Sequence, residues 1–162
     1  MTAINTFQDA QRNHTPLSNF YHSPFYAPFF GRTDEIHLFP TVEHYFQSAK
    51  AKSRADALYV LSQPTPGAAK RAGRAVDMLY DWDDIKLDVM IIAIKKKFTY
   101  NNSLGLSGFL METNPYELIE GNTWGDTFWG ACKGKGENNL GKILMGRRDQ
   151  LFIREMAKSS YR

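Results

Sequence analysis

The sequence predicts one helix-rich domain introduced by a few short strands. Three observations carry that reading. The first forty residues are rich in Phe, Tyr and Pro, with Gly31 marking a turn, and leave room only for short extended segments. From Thr41 onward, apolar residues recur at the i, i+3, i+4, i+7 spacing of buried helix faces. The stretch from Gly121 to Gly141 holds too many glycines to be regular structure throughout. With 162 residues, the chain spans a single domain, 1–162, and is long enough to bury a core without staples.

Short strands are expected near Asn5–Gln8, Phe25–Phe30 and Glu35–Phe39. Pro40 ends the preceding segment and Thr41 is placed to accept a hydrogen bond from an orphaned amide, so a helix starts there and runs to about Lys52. Helices over about Arg54–Ser62 and Pro66–Ala75 follow. The strongest helical pattern spans about Asp83–Phe98, with Leu87, Met90, Ile91, Ile94 and Phe98 as its apolar stripe. Acids at its start and Lys95, Lys96 and Lys97 at its end suit the helix dipole. A shorter helix over about Asn102–Glu112 and a strand over Tyr116–Glu120 lead into the glycine-rich segment. A final helix, about Leu140–Met156, turns Leu140, Ile143, Leu144 and Leu151 inward. Arg148 falls on that same side and calls for an anionic partner, either a carboxylate of the chain or a ligand.

Composition excludes several classes. The chain is 43% hydrophobic and 23% charged, an ordinary soluble balance. A single cysteine, Cys132, rules out an internal disulfide, the N-terminus lacks a signal-peptide pattern, and the longest apolar run, Val89 to Ile94, is too short to cross a membrane. A cytoplasmic location is the expectation. Net charge is only +3, but Lys133 to Arg162 carries eight bases against three acids, a balance of 8 − 3 = +5, which suits an anionic ligand or a solvated basic tail.

The first candidate for chemistry is the helix opened by Thr41. Val42, Tyr45, Phe46 and Ala49 form its apolar stripe, and Glu43, Gln47 and Lys50 recur at i, i+4 and i+7 beside it. A carboxylate, an amide and an amine stacked along an aromatic wall that includes Tyr45 can line a ligand site, or can be a solvated polar face. Asn19 and Phe20, in a polar-aromatic turn, can read and stack on a base or sugar. Lys70 and Arg74, one helical turn apart, can clamp a phosphate. Two tryptophans, Trp124 and Trp129, flank Asp126 among glycines. Gly134-Lys135-Gly136 before Asn138 and the last helix would let backbone amides approach a phosphate, although no Walker loop is present. His14, His22, His37 and His44 lack metal-ligand spacing, and the serine elbow, His-Glu-x-x-His and paired Cys-x-x-Cys patterns are missing. No metal or other cofactor is expected. Carboxylates, lysines and aromatics remain, a set suited to cleaving a glycosidic bond.

Taken in order, these segments resemble the NADAR (YbiA-like) superfamily. The resemblance is carried by Leu17-Ser18-Asn19-Phe20, by Phe39 to Gln47 with Lys50, by Ala69-Lys70 with Gly73-Arg74, and by Trp82, Lys86, Met90 and Lys97-Phe98. Trp124-Gly125-Asp126, Trp129-Gly130, Gly134-Lys135-Gly136 with Asn138, Leu140-Gly141 and Leu144-Met145 with Arg148 complete it. Ser48-Ala49 departs from the Ala-Gln pair of many relatives. The resemblance implies an α+β fold, mostly helical with a small antiparallel sheet, and an N-glycosidase acting on ribosylated bases. Its substrates would be a ribosylated aminopyrimidine intermediate of riboflavin synthesis or ADP-ribosylated guanine, free or within nucleic acid. Glu43 would be the leading catalytic residue, with Lys50 and Asp126 assisting. Asn19, Phe20, Tyr45, Gln47, Trp82 and Trp129 would shape the base and sugar site. Lys70, Arg74, Gly134, Gly136, Asn138 and Arg148 would hold phosphate or other polar groups. The rivals are a non-catalytic ADP-ribose or nucleotide-binding module and a nucleic-acid binder using Lys95–Lys97 with the basic C-terminal segment.

Overall fold

The computed structural model describes residues 3–8, 11, 13–32, 35–100 and 102–160. The described elements run β1 (Ala3–Ile4), β2 (Phe25–Pro28), β3 (Ile36–Phe39), α1 (Val42–Ala49), α2 (Arg54–Leu61), α3 (Pro66–Ala75), α4 (Trp82–Tyr100), α5 (Leu106–Glu112), β4 (Glu117–Leu118), β5 (Gly121–Asn122), β6 (Ala131–Cys132) and α6 (Asn139–Ser159). This is an α+β fold, mostly helical, as expected. It is built from two compact units, Asn19–Asn101 on one hand and Met1–Ser18 with Asn102–Arg162 on the other.

In the unit Asn19–Asn101, β2 and β3 form the antiparallel ribbon, with Phe25 opposite Phe39 and Pro28 opposite Ile36. Its inner side supplies Phe25, Ala27 and Phe39, all buried. Tyr45 closes this aromatic core, its ring centroid 5.0 Å from Phe39 and 5.7 Å from Phe25. The aromatic excess of the sequence is therefore partly a packing device. Three helices start on side-chain caps. Thr41 accepts from the His44 N–H at 3.2 Å, Ser53 from that of Asp56 at 3.0 Å, and Thr65 from that of Ala68 at 3.1 Å with Pro66 next to it. Each cap contributes about 1 kcal/mol to its helix.

α2, α3, α4 and β3 all pack on α1, and every residue of α1 is buried. α4 departs from the expected stripe. Its buried residues are Trp82, Val89, Met90, Ala93, Ile94, Lys97 and Phe98, whereas Leu87 and Ile91 are exposed. Lys97 is thus not a solvated helix end. It lies 5.6 Å from the Tyr21 ring and 5.4 Å from that of Phe98, and burial lowers its amine to about 7. The run Lys95–Lys97 consequently does not form a continuous basic surface.

In the other unit, β1 pairs with β4 and β5 with β6, both in parallel, two short ladders that the sequence did not announce. The strand expected at Asn5–Gln8 is instead Ala3–Ile4, with an isolated bridge between Gln8 and His14. A 3-10 turn over Asn102–Leu104 precedes α5 and takes up the first part of the expected helix. Leu106 and Leu110 of α5, Leu118 of β4 and Leu140, Leu144 and Leu151 of α6 are buried. Ile143 is only half-buried. Among the described residues, no helix is long and apolar enough to cross a membrane.

Candidate active site

The polar face of α1 is buried as deeply as its apolar one. Glu43 is 5% exposed and Gln47 3%. Their spacing of one turn brings the side chains together, and Gln47 Nε2 donates to Glu43 Oε1 at 2.7 Å. The start of the helix is fixed by the Asn19 turn, whose backbone carbonyl accepts from the Glu43 N–H at 3.1 Å. Lys50, at the C-terminal cap, is held by its own carbonyl, which accepts from the Leu79 N–H at 2.8 Å. Its ammonium group stands 5.6 Å from the Phe46 ring and 5.7 Å from that of Trp82. Those two rings meet edge to face at 4.9 Å. Lys70 of α3 reaches to 5.8 Å from the Phe20 ring. Asn19 Nδ2 donates to the Met90 sulfur at 3.6 Å, while its Oδ1 is buried without a partner.

Charge explains what this cluster can do. Burial raises the Glu43 pKa above the ordinary 4.5, opposed by the Gln47 hydrogen bond and by the positive charges of Lys70, Lys50 and Arg74. Among the described residues, none of the three forms an ion pair with it. Burial lowers the Lys50 pKa, and Arg74 and Lys70 push the same way against the pull of Glu43. Both groups are displaced toward their neutral forms. A carboxyl that keeps its proton to higher pH and an amine that gives its proton up more readily are the two ingredients of proton transfer near neutrality. Lys70 is half-buried and Arg74 exposed, so the positive charge grades from the interior of the cluster to the surface.

His44 faces away from this chemistry. Its Nε2 donates to the Gln63 carbonyl at 3.0 Å, which leaves Nδ1 to accept from the Thr41 hydroxyl at 2.9 Å. Burial lowers its pKa and keeps it neutral, so it is a satisfied core histidine. Tyr45 is a correction to the sequence reading. It is 2% exposed inside the aromatic core, where burial pushes its hydroxyl to about 12, and it does not line the Glu43 cluster.

The remaining expected site residues lie in the other unit, where the structure gives them local work. Asp126 Oδ1 accepts from the N–H groups of Phe128 at 3.2 Å and Trp129 at 2.9 Å, and its own backbone is bracketed by the Asn122 amide. Trp129 packs edge to face on Phe128 at 4.9 Å. Of the amides around the expected phosphate cradle, that of Lys135 donates to the Cys132 carbonyl at 3.0 Å, and those at the start of the last helix are engaged as well. Those of Glu137, Asn138, Asn139 and Leu140 donate to the carbonyls of Thr127, Gly130, Phe128 and Trp129 at 2.7 to 3.2 Å. Gly134 and Gly136 have positive φ, and a Cβ on Gly136 would strike the Gly130 carbonyl, so the glycines serve this tight fold-back. The Asn138 side chain ties Leu118 and Glu120 to the start of α6 through bonds of 2.9 and 3.0 Å. Arg148 is buried, but its partners are neutral, the Thr113 hydroxyl at 3.0 Å and the Tyr116 carbonyl at 2.9 Å, in place of the expected anion.

One residue of the cluster entered the sequence reading only through the resemblance, with no site role given to it. Gly73 is buried on the face of α3 that meets α1, and a Cβ there would fall 2.9 Å from Gln47 Cβ and 3.1 Å from its Cδ. The available signal was a glycine inside a helix, between Ala72 and Arg74, where glycine is unfavourable. Among the described residues, no group of three or more His, Cys, Asp or Glu is placed to hold a metal ion.

Comparison with known proteins adds an independent line. The NADAR domain profile matches residues 6–152. N-glycosidase YbiA of Escherichia coli is 36% identical over 117 residues, which cover 70% of this chain and 71% of that protein. A riboflavin biosynthesis protein of Vibrio vulnificus is 33% identical over 148 residues, 90% of this chain but 38% of that longer protein. The NMR structure of E. coli YbiA superposes with a TM-score of 0.78 at 32% identity, covering 96% of this chain and 88% of the other.

Proposed function

The chain belongs to the NADAR domain family, and from that premise we propose that it is an N-glycosidase hydrolysing the bond between a ribose phosphate or ADP-ribose moiety and a nucleobase. The observation that carries the reading is Glu43: a carboxyl 5% exposed, bonded to Gln47 and under three positive charges, one of them that of Lys50, which stands over the Phe46 and Trp82 rings. As the C1–N bond breaks, its electron pair leaves with the base nitrogen, which gains a proton, and C1 takes on oxocarbenium character. Glu43 stabilises that charge and relays the proton, while water adds its oxygen to C1 and releases a proton in turn. Phe20, Phe46 and Trp82 offer flat faces to base and sugar, and Lys70 and Arg74 offer charge to a phosphate.

A second reading of the same cluster follows from the lowered Lys50 pKa. A neutral Lys50 amine attacks C1, the base leaves, and the ring-opened ribose is held as a Schiff base until water releases it. Asp126 stays a proposed assistant, its Oδ1 engaged in the loop. The name of the Vibrio relative favours a ribosylated aminopyrimidine intermediate as substrate, with ADP-ribosylated guanine the other candidate. Incubating the protein with each and detecting released base by mass spectrometry tests the proposal. Release that depends on Glu43 is expected; binding of ADP-ribose without release from any of them would make the chain a binding module instead.

A further inference from the structure

α3 buries a face of small residues, of which Ala69 and Ala72 cluster with Val60 of α2 and Gly73 faces Gln47 of α1. Ala69, Ala72 and Gly73 are its buried positions, at i, i+3 and i+4, and so share one face. Lys70 and Arg74 each follow one of them, which is how this face brings their charge to bear on Glu43. Gly73 lies outside the left-handed region, so its backbone does not require glycine. A Cβ there would overlap Gln47 Oε1 and crowd the rest of the side chain. Space is therefore what the glycine supplies.

The Gln47 amide shows why the space matters. Its Nε2 is held by Glu43 at 2.7 Å, whereas its Oε1 is buried with no hydrogen-bond partner. Among the described residues no second hydrogen bond fixes the amide plane, and the bare Cα of Gly73 is what its other end rests against. We infer that Gly73 is a positioning residue for the reaction, the stop that keeps the Gln47 amide aimed at Glu43. This rests on the role proposed for Glu43. The charged groups bearing on that carboxyl are Lys50 of α1 and Lys70 and Arg74 of α3; α2, α4 and β3 add none among the described residues. With those three unchanged, losing the Gln47 donor leaves burial less opposed, and Glu43 holds its proton to higher pH.

The test is a titration of the Glu43 carboxyl by 13C NMR in the full chain, for wild type, Gly73→Ala, Gln47→Ala and the double variant. Both single variants are expected to move the Glu43 midpoint to higher pH, and the double variant to move it no further than Gln47→Ala alone. Base release near pH 7 should fall about tenfold or more in Gly73→Ala, as befits loss of a hydrogen bond to a charged group. An unmoved midpoint in Gly73→Ala, or shifts that add in the double variant, would overturn the inference. Should Gly73→Ala fail to fold, rescue by Gln47→Ala supports the steric stop and lack of rescue refutes it. Because the titration needs no substrate, a shifted midpoint in a protein that releases no base would defeat the glycosidase reading alone. Glu43-dependent release with an unmoved midpoint would defeat the positioning role alone.

Discussion

Replacing Glu43 by Gln separates catalysis from folding within one variant. Gln keeps the size of the side chain and can still pair with Gln47 across 2.7 Å, so the packing of α1 against α3 is preserved. What disappears is the charge and the exchangeable proton. Because burial raises the Glu43 pKa above its ordinary 4.5, the folded protein binds that proton more tightly than the unfolded chain does. The stability it contributes is therefore fully present below pH 4.5 and is lost as pH rises through the raised value. Above pH 4.5 the wild type therefore bears a cost for burying this carboxyl, because desolvation outweighs the help of Gln47 and the three cations. Glu43→Gln removes that penalty, on the order of 1 to 3 kcal/mol for a buried polar group incompletely compensated, which corresponds to about 2 to 4 °C per kcal/mol in a chain of this size.

The expected result is a variant that melts above wild type at neutral pH, by a margin that closes as the pH falls toward 4.5, and that loses base release by about a hundredfold to ten-thousandfold. Circular-dichroism melts over a pH series read the first quantity, and mass spectrometry of released base reads the second. A rise in stability paired with a loss of activity identifies a group retained for chemistry at the expense of the fold. Turnover within about tenfold of wild type, or a neutral-pH melting point well below it, would refute the reasoning.

Three further outcomes follow from the same geometry. Borohydride added during turnover should trap a protein–ribose adduct that Lys50→Ala abolishes if the lysine attacks C1; no adduct in the wild type leaves the carboxylate-and-water route. Tyr45→Phe should retain base release within about threefold, since the ring sits in the aromatic core and loses only a hydroxyl, and its stability should change by no more than about 1 kcal/mol; a large rise in KM would return Tyr45 to the substrate site. Arg148→Met should lower stability by about 2 to 4 kcal/mol in denaturant titration, because the Thr113 hydroxyl and the Tyr116 carbonyl lose their donor in a buried place; a stable variant that instead loses phosphate affinity would show Arg148 to be a ligand group.

Helix starts were the most legible part of the sequence, because a cap residue followed by apolar spacing is local chemistry. Thr41, Ser53 and Thr65 each head the helix that their neighbours predict. Which face of a helix is buried was less legible where apolar residues cover more than one face. In α4 the apolar pattern alone selected Leu87 and Ile91, and the fold buried Val89, Ala93 and Lys97 instead. Position Lys97 counts as polar in any periodicity, so the true stripe was masked by one charged residue within it. The surroundings of the phosphate cradle expected at Gly134–Asn138 were hidden for a different reason. Free amides before a helix bind anions, but those of Glu137 and Asn138 donate to the Thr127 and Gly130 carbonyls and that of Lys135 to the Cys132 carbonyl, a fold-back that no local pattern reveals. Tyr45 shows the limit of spacing within α1, since a residue beside a polar face can belong wholly to the core behind it.

Burial on all sides makes α1 a costly helix for packing alone, which supports the chemistry proposed for it. Four of its eight residues, Glu43, His44, Gln47 and Ser48, are polar and buried. If packing alone governed, each would be satisfied or replaced by an apolar residue of similar size. His44 is satisfied on both ring nitrogens. By contrast, among the described residues Gln47 Oε1 and Ser48 Oγ have no partner, and Asn19 Oδ1, in the turn that receives the Glu43 amide, has none either. An orphaned buried group costs about 1 to 3 kcal/mol, so three of them around one helix amount to a sizeable fraction of what a domain of this size has to spare. The aromatic core of Phe25, Phe39 and Tyr45 and the three side-chain caps are what keep the unit folded despite it. Unmet hydrogen-bonding capacity near a protonatable carboxyl is what a substrate would satisfy on binding, which supports the proposal of Glu43 as the group that meets the scissile bond over Asp126, whose Oδ1 is already engaged by two backbone amides.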